Sequence, residues 1–137
     1  MPGPDVRYFE VTEEERERLV GELKRALERI QSVAFAYLHG GFVERRFFRD
    51  VDVAVWLEDL GDRRLVEVDL PARLEARLGI PIDIRVLNEA PLPFRHHVFS
   101  RGVLLFSRDE TLRLRLMDET LRLYFDLKVL NELAGGR

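Results

Sequence analysis

Apolar positions along the chain follow two rhythms, one helical and one strictly alternating, and together they lay out most of its elements. Leu19, Leu23, Leu27 and Ile30 recur three or four residues apart and form one stripe, which predicts a helix over residues 12–31. Thr12 followed by Glu15 is a capping-box pattern, in which each side chain satisfies an N–H that the first turn leaves free. Residues 33–38 are apolar without a break and read as a short buried strand, ended by His39-Gly40-Gly41. Residues 42–48 leave room for one or two helical turns, and residues 50–57 alternate strictly, the mark of a second strand. A helix over 62–78 follows, interrupted by Pro71, which has no N–H to give, and stopped by Gly79. Residues 81–87 form a third alternating strand, 88–91 a loop, 93–101 a short helix closed by Gly102, and 103–106 a short strand. Ser107 with Glu110 reads as a second capping box, opening a long helix that runs to residue 133.

The alternation also assigns faces. Val51, Val53, Val55 and Leu57 point one way, and Asp50, Asp52, Ala54 and Trp56 the other. In the third strand Ile80, Ile82, Ile84 and Val86 share a face, with Asp83, Arg85 and Leu87 on the reverse. Each strand therefore offers an aliphatic face for helices to cover and aspartate behind it. The expected fold is α/β (α+β): a small mixed β-sheet with helices packed on one face and a polar site on the other. With no internal repeat or low-complexity linker, residues 1–137 read as one domain.

Composition narrows the function classes. The chain is 46% hydrophobic and 34% charged, the balance of a folded protein rather than a disordered one. It has no cysteine, which excludes a disulfide framework and any thiolate metal site. No apolar run approaches the roughly 20 residues needed to cross a bilayer, and the N-terminus lacks a signal-peptide pattern, so a cytoplasmic location is expected. A net charge of −3 argues against binding polyanions by bulk electrostatics, and no nucleic-acid partner is inferred. Lys24 and Lys128 are the only lysines, and Gln31, Asn88 and Asn131 the only amides. Few amides and abundant charge point to a thermophile, although GC-rich coding leaves the same arginine bias.

The chemistry lies in the aspartates. Residues i and i+2 on a strand stand roughly 6–7 Å apart at Cα, close enough for both side chains to grip shared cations. If the second and third strands are neighbours in register, Asp50, Asp52 and Asp83 converge on one patch. Clustered carboxylates repel one another unless protonated or paired with metal, and hard oxygen donors suit Mg²⁺ or Mn²⁺ better than zinc. Two such ions about 3.5–4 Å apart activate an attacking oxygen and stabilise a leaving pyrophosphate. Gly40-Gly41, between a strand and a helical turn, leaves N–H groups open to phosphate oxygens. Alone, a Gly-Gly or an Asp-x-Asp says little, and an alternating strand with acids outward is usually a solvated face. The full order is far rarer: strand, Gly-Gly, Asp50-Val51-Asp52, then Asp83 within an aliphatic strand.

The run from Tyr37 to Val55, YLHGGFVERRFFRDVDVAV, resembles the signature of the polymerase-beta-like nucleotidyltransferase superfamily. The short length and Ile82-Asp83-Ile84 are similar to its minimal nucleotidyltransferase branch, and the likeness runs loosely through residues 91–106 and the last helix. The resemblance implies a polymerase-beta-like fold and Mg²⁺-dependent transfer of a nucleoside monophosphate, with ATP as donor substrate and two Mg²⁺ ions. It makes Asp50, Asp52 and Asp83 the catalytic and metal-holding residues, with Asp83 also helping to activate the acceptor hydroxyl. Gly40 and Gly41 become nucleotide-binding candidates, joined by Arg49, whose planar fork matches phosphate oxygens. Members of this branch commonly pair with HEPN-domain toxins, which implies such a toxin as partner and adenylylation of a toxin tyrosine. A catalytically silent antitoxin and a transferase for a small molecule are the alternatives. An intact triad favours activity, and the absence of a sizeable second domain disfavours the small-molecule enzyme. The family most often carries serine where this chain has Gly41, so weak triphosphate binding through backbone N–H groups is expected.

Other residues have plainer readings. Arg45, Arg46 and Arg49, interleaved with Phe47 and Phe48, either meet phosphate or are solvated beside Glu44 while the phenylalanines enter the core. His39, His96 and His97 lack metal-ligand spacing and are expected at the surface or behind the site. Ser100 and Ser107 have no evident base, and Trp56 is expected to pack across strands. The last helix carries Leu114, Leu123 and Phe125 outside its main stripe, which implies a protein interface, with a second copy or with a toxin.

Overall fold

Helix α1 (Glu13–Glu28) begins where the capping box places it. Thr12 Oγ1 accepts the Glu15 N–H at 3.1 Å, and the Glu15 carboxylate accepts the Thr12 N–H at 2.9 Å. The protein's structure, a computed structural model, describes residues 7–135. Helix α1 ends at Glu28, short of residue 31, and Arg108 caps this end: the guanidinium donates to the carbonyls of Glu28, Ile30 and Gln31. Those carbonyls have no partner within the helix, and a cation there also suits its dipole.

Strands β1 (Val33–His39), β2 (Val51–Leu57), β3 (Ile82–Val86) and β4 (Val103–Ser107) form one sheet in the order β3-β2-β1-β4. Strand β1 is antiparallel to β2 and β4, whereas β2 and β3 are parallel, so the expected mixed sheet is found. Between them lie the single turn α2 (Gly41–Glu44), the helix α3 (Leu70–Leu78) and the helix α4 (Leu92–Arg101). The long helix α5 (Glu110–Gly135) closes the chain. Its N-cap is Asp109, whose carboxylate accepts the Leu112 N–H at 3.0 Å, rather than the expected Ser107.

Pro71 shapes the segment before α3 without breaking it. Its ring crowds the carbonyl four residues back, so residues 65–69 widen into a π turn and the Leu70 N–H reaches the Leu65 carbonyl. Glu67, in this widened turn, accepts the Val86 N–H at 2.9 Å, and Glu75 accepts the Ile82 N–H at 2.9 Å. Strand β3 is a sheet edge, and these carboxylates occupy donors that would otherwise face outward.

The helices divide between both faces instead of packing on one. Leu19, Leu23 and Leu27 of α1 and Leu70 and Leu74 of α3 cover Val51, Val53, Val55, Ile82 and Ile84, the face the alternation marked as aliphatic. The reverse face is covered too, over half its length: Val98 and Phe99 of α4 and Leu116 of α5 pack on Phe35, Tyr37, Ala54 and Leu87. Trp56 belongs to this second core and stacks on Phe35 with ring centroids 6.3 Å apart. The physical reason lies in β1, which is buried along its whole length and so has apolar side chains to cover on both sides. What α4 and α5 leave open is the end of the sheet that carries the aspartates. Beyond Thr120, helix α5 exposes Leu123, Phe125, Leu127, Leu130 and Leu133, with Phe125 at 65%. Among the described residues no helix is long and apolar enough to cross a membrane.

Candidate active site

Register brings the aspartates together. Asp52 of β2 pairs with Asp83 of β3 on one side and with His39 of β1 on the other, giving one polar row across three strands. The next row is Tyr37, Ala54 and Arg85, already under α4 and α5. Asp50 lies immediately before β2, two residues from Asp52 and on the same side. Among the described residues none of the three carboxylates makes an ion pair, and the guanidinium of Arg85 stays over the Phe94 ring at 4.2 Å.

The electrostatic cost is visible in the titration of the row. Burial, then repulsion from Asp50 and Asp83, pushes the Asp52 carboxyl up to about 6, against a small opposing pull from Arg85. Asp83 is raised as well, chiefly by burial, with Arg85 acting against it and Asp50 and Glu67 adding to it. His39 is buried behind the site, the second of its two expected places, and burial with His97 and Arg85 nearby lowers it to about 4, so its ring is neutral at pH 7. A native carboxyl above its ordinary value binds protons more readily than the unfolded chain. Metal-free stability therefore falls as pH rises through the interval from about 4 to 6. We expect Asp52→Asn to stabilise the metal-free protein at pH 7 by ~1 kcal/mol, after discounting for the partial exposure of the group, and by little at pH 4. Urea unfolding of both proteins at the two pH values checks this; an equal difference at both would refute the raised carboxyl.

Gly40 makes the row possible. It holds φ at 75°, and a Cβ there would stand 2.4 Å from Asp52 Oδ2, so the aspartate occupies the space a side chain would need. Gly41 differs: its φ is ordinary, and a Cβ would meet only Phe48 Cβ at 3.9 Å. Beside this turn a polar cleft of about 250 Å³ is lined by Tyr8, Gly41, Arg45, Phe48, Arg49, Asp50 and Asp52. Phe48 enters the core as expected, while Phe47 stays exposed. Of the arginines, Arg45 and Arg49 line the cleft, and Arg46 turns away to Glu10 at 2.7 Å. Asp83 stands beside Asp52 on the edge strand, close enough to Asp50 to feel its charge, and is not among the residues that line this cleft.

Sequence reasoning missed Tyr8, and it placed His39 only loosely, at the surface or behind the site. Tyr8 comes from an isolated bridge between Phe9 and Phe48, which no periodicity foretells. The signal for His39 was present: it ends an all-apolar strand and so had to be buried. Ser100 does meet a base, His96 at 3.3 Å, but both lie on α4 away from the cleft, with His96 stacked on Tyr124. A larger groove of about 410 Å³, between Pro93 and the exposed end of α5, contains none of the aspartates.

A mixed sheet with register-paired aspartates behind a Gly-Gly turn is the frame of a nucleotidyl-transferring fold, and the sequence comparison agrees. The family model described as Polymerase beta, Nucleotidyltransferase matches residues 21–111, and the chain belongs to that family. Among solved structures it is similar to a chain of the tri-AMPylated Shewanella oneidensis HEPN toxin in complex with MNT antitoxin. There the TM-score is 0.68 at 19% identity, over 87% of this chain and 94% of that one. A chain of the toxin–antitoxin MntA-HepT gives 0.68 at 20%, covering 86% and 94%. A chain of a toxin–antitoxin with AMP-PNP gives 0.70 at 21%, covering 84% and 94%. At these identities the likeness is one of fold. No curated protein matches the chain in sequence.

Proposed function

We propose that this chain transfers AMP from ATP to a tyrosine hydroxyl of a HEPN-type partner toxin, as its antitoxin. The observation that carries the reading is the direct pairing of Asp52 with Asp83 next to a cleft holding Asp50, Arg45 and Arg49. The cleft side suits a triphosphate: guanidinium forks match phosphate oxygens, and Gly41 offers backbone without a side chain in the way. The Asp83 side suits the acceptor, whose hydroxyl proton the carboxylate would take up. The structures of similar fold support the partner, since they include an AMPylated HEPN toxin and a complex with AMP-PNP. The apolar residues exposed along α5 supply a surface for a partner protein to cover. Residues 1–137 act in this reading as one minimal nucleotidyltransferase domain.

The donor set fits divalent cations. Asp50, Asp52 and Asp83 offer hard oxygens under mutual repulsion, and they would hold Mg²⁺, with two ions expected. Among the described residues no three acidic or histidine side chains form a closed cage. Open sites suit Mg²⁺ on phosphate substrates, where one or two carboxylates share it with phosphate oxygens. When bound, such ions neutralise phosphate charge and lower the barrier to attack by a hydroxyl.

The test is direct: the purified chain is incubated with the product of the neighbouring gene, ATP and Mg²⁺, and the partner is weighed by intact-mass spectrometry. The reading expects AMP on a tyrosine of a small helical protein with Arg, His and Tyr in its motif. A stable complex without AMP under any nucleotide would favour the silent antitoxin, and no complex would sink the partner. A second experiment addresses the turn. Because a Cβ at residue 41 meets only ordinary contact, Gly41→Ser is expected to preserve or improve ATP affinity, while Gly41→Val, with branched methyls against Phe48, weakens it several-fold. Calorimetry with valine tolerated as well as serine would move the triphosphate elsewhere.

A further inference from the structure

One wall of the cleft is used by neither cation nor phosphate chemistry. Tyr8 lines it with 58% of the residue exposed, yet its position is fixed. The next residue, Phe9, donates its N–H to the Phe48 carbonyl at 2.8 Å and accepts the Phe48 N–H at 3.1 Å. The Phe9 ring also stacks on Phe48, 6.0 Å between centroids. In extended chain successive side chains point opposite ways, so packing Phe9 inward turns Tyr8 outward to the cleft mouth. A large ring held in place but left in water loses freedom without gaining burial, and it gains once a flat group covers it. Of the other aromatics near the aspartates, Phe48 is buried, Phe94 is taken by Arg85 and His39, and the exposed Phe47 does not line the cleft.

We propose that Tyr8 is the platform for the nucleobase, stacking on the base of a nucleoside triphosphate whose phosphates run toward Gly41, Arg49 and the aspartates. The inference rests on the reading of this cleft as the triphosphate site. Arg45 and Arg49, drawn to phosphate as charged forks, are committed to the phosphate end, which leaves the base to the aromatic at the mouth. Stacking accepts any base, because every base has a π face. The chain is therefore expected to bind ATP and GTP with similar affinity, and both more tightly than inorganic tripolyphosphate.

Calorimetry on the full chain, with Mg²⁺, compares ATP and tripolyphosphate in wild type, Tyr8→Ala and Tyr8→Trp. The expected result is an ATP affinity about tenfold weaker in Tyr8→Ala, unchanged tripolyphosphate binding, and wild-type ATP affinity or better in Tyr8→Trp. Substitution at so exposed a position leaves the fold intact, and an unchanged thermal midpoint confirms it. Equal ATP affinity in wild type and Tyr8→Ala overturns the platform alone. Equal loss for both ligands overturns it too, since Tyr8 would then only shape the cleft. Failure of the wild type to bind either ligand overturns the triphosphate site itself, and the platform with it.

Discussion

Asp50→Asn and Asp52→Asn are each expected to slow nucleotide transfer by about three orders of magnitude or more while the protein stays folded. The size follows from charge. An amide keeps the shape of the carboxylate but removes the negative charge that shares a divalent cation with phosphate, and several kcal/mol of transition-state stabilisation go with it. Stability moves the other way for Asp52, whose carboxyl is raised by burial and by its acidic neighbours, so the metal-free Asn variant unfolds at an equal or slightly higher temperature. This opposition separates a catalytic effect from a folding effect. Single-turnover transfer with labelled ATP, read beside thermal unfolding, measures both. Wild-type rates in both variants would remove the triad from the mechanism.

Asp83→Ala is expected to leave the partner complex intact and abolish AMP addition. Asp83 is exposed on β3 beside Asp52, outside the lining of the cleft, and α5 packs on the sheet elsewhere. Removing it takes away the acceptor-side carboxylate without touching the apolar residues of α5 that remain for a partner to cover. Size-exclusion chromatography should recover the complex with the variant, and intact mass should show the partner unmodified. If AMP still appears at the wild-type level, proton acceptance lies with another group. If the complex itself dissociates, Asp83 belongs to the docking surface.

Much of this was legible before any coordinates. Strict alternation in β2 and β3 assigned the aliphatic and acidic faces correctly, because a strand has only two sides and a one-residue slip would bury the aspartates. The capping box at Thr12 was equally local and equally sound. What escaped was non-local. The second layer of helices follows from β1 being buried on both sides, and a run of apolar residues does not say how many sides it has. The pairing of Asp52 with Asp83 was foreseen only on the condition that β2 and β3 are neighbours, which spacing permits but does not dictate. Tyr8 reaches the cleft through a single bridge between residues 9 and 48, a contact with no periodic signature at all. Asp109 displaced Ser107 as the cap of α5 because a slip of two residues at a helix start costs little when both side chains can accept.

The glutamates along β3 have a consequence for what can approach Asp83. Glu67 and Glu75 already hold the N–H groups of Val86 and Ile82, so an incoming polypeptide finds those two positions taken and is disfavoured as a fifth strand. A polypeptide acceptor must instead lower one side chain over the end of the sheet, as a probe enters a socket. Choice of the modified residue then depends on how the two proteins dock and how far that side chain reaches, with little weight on the sequence around it.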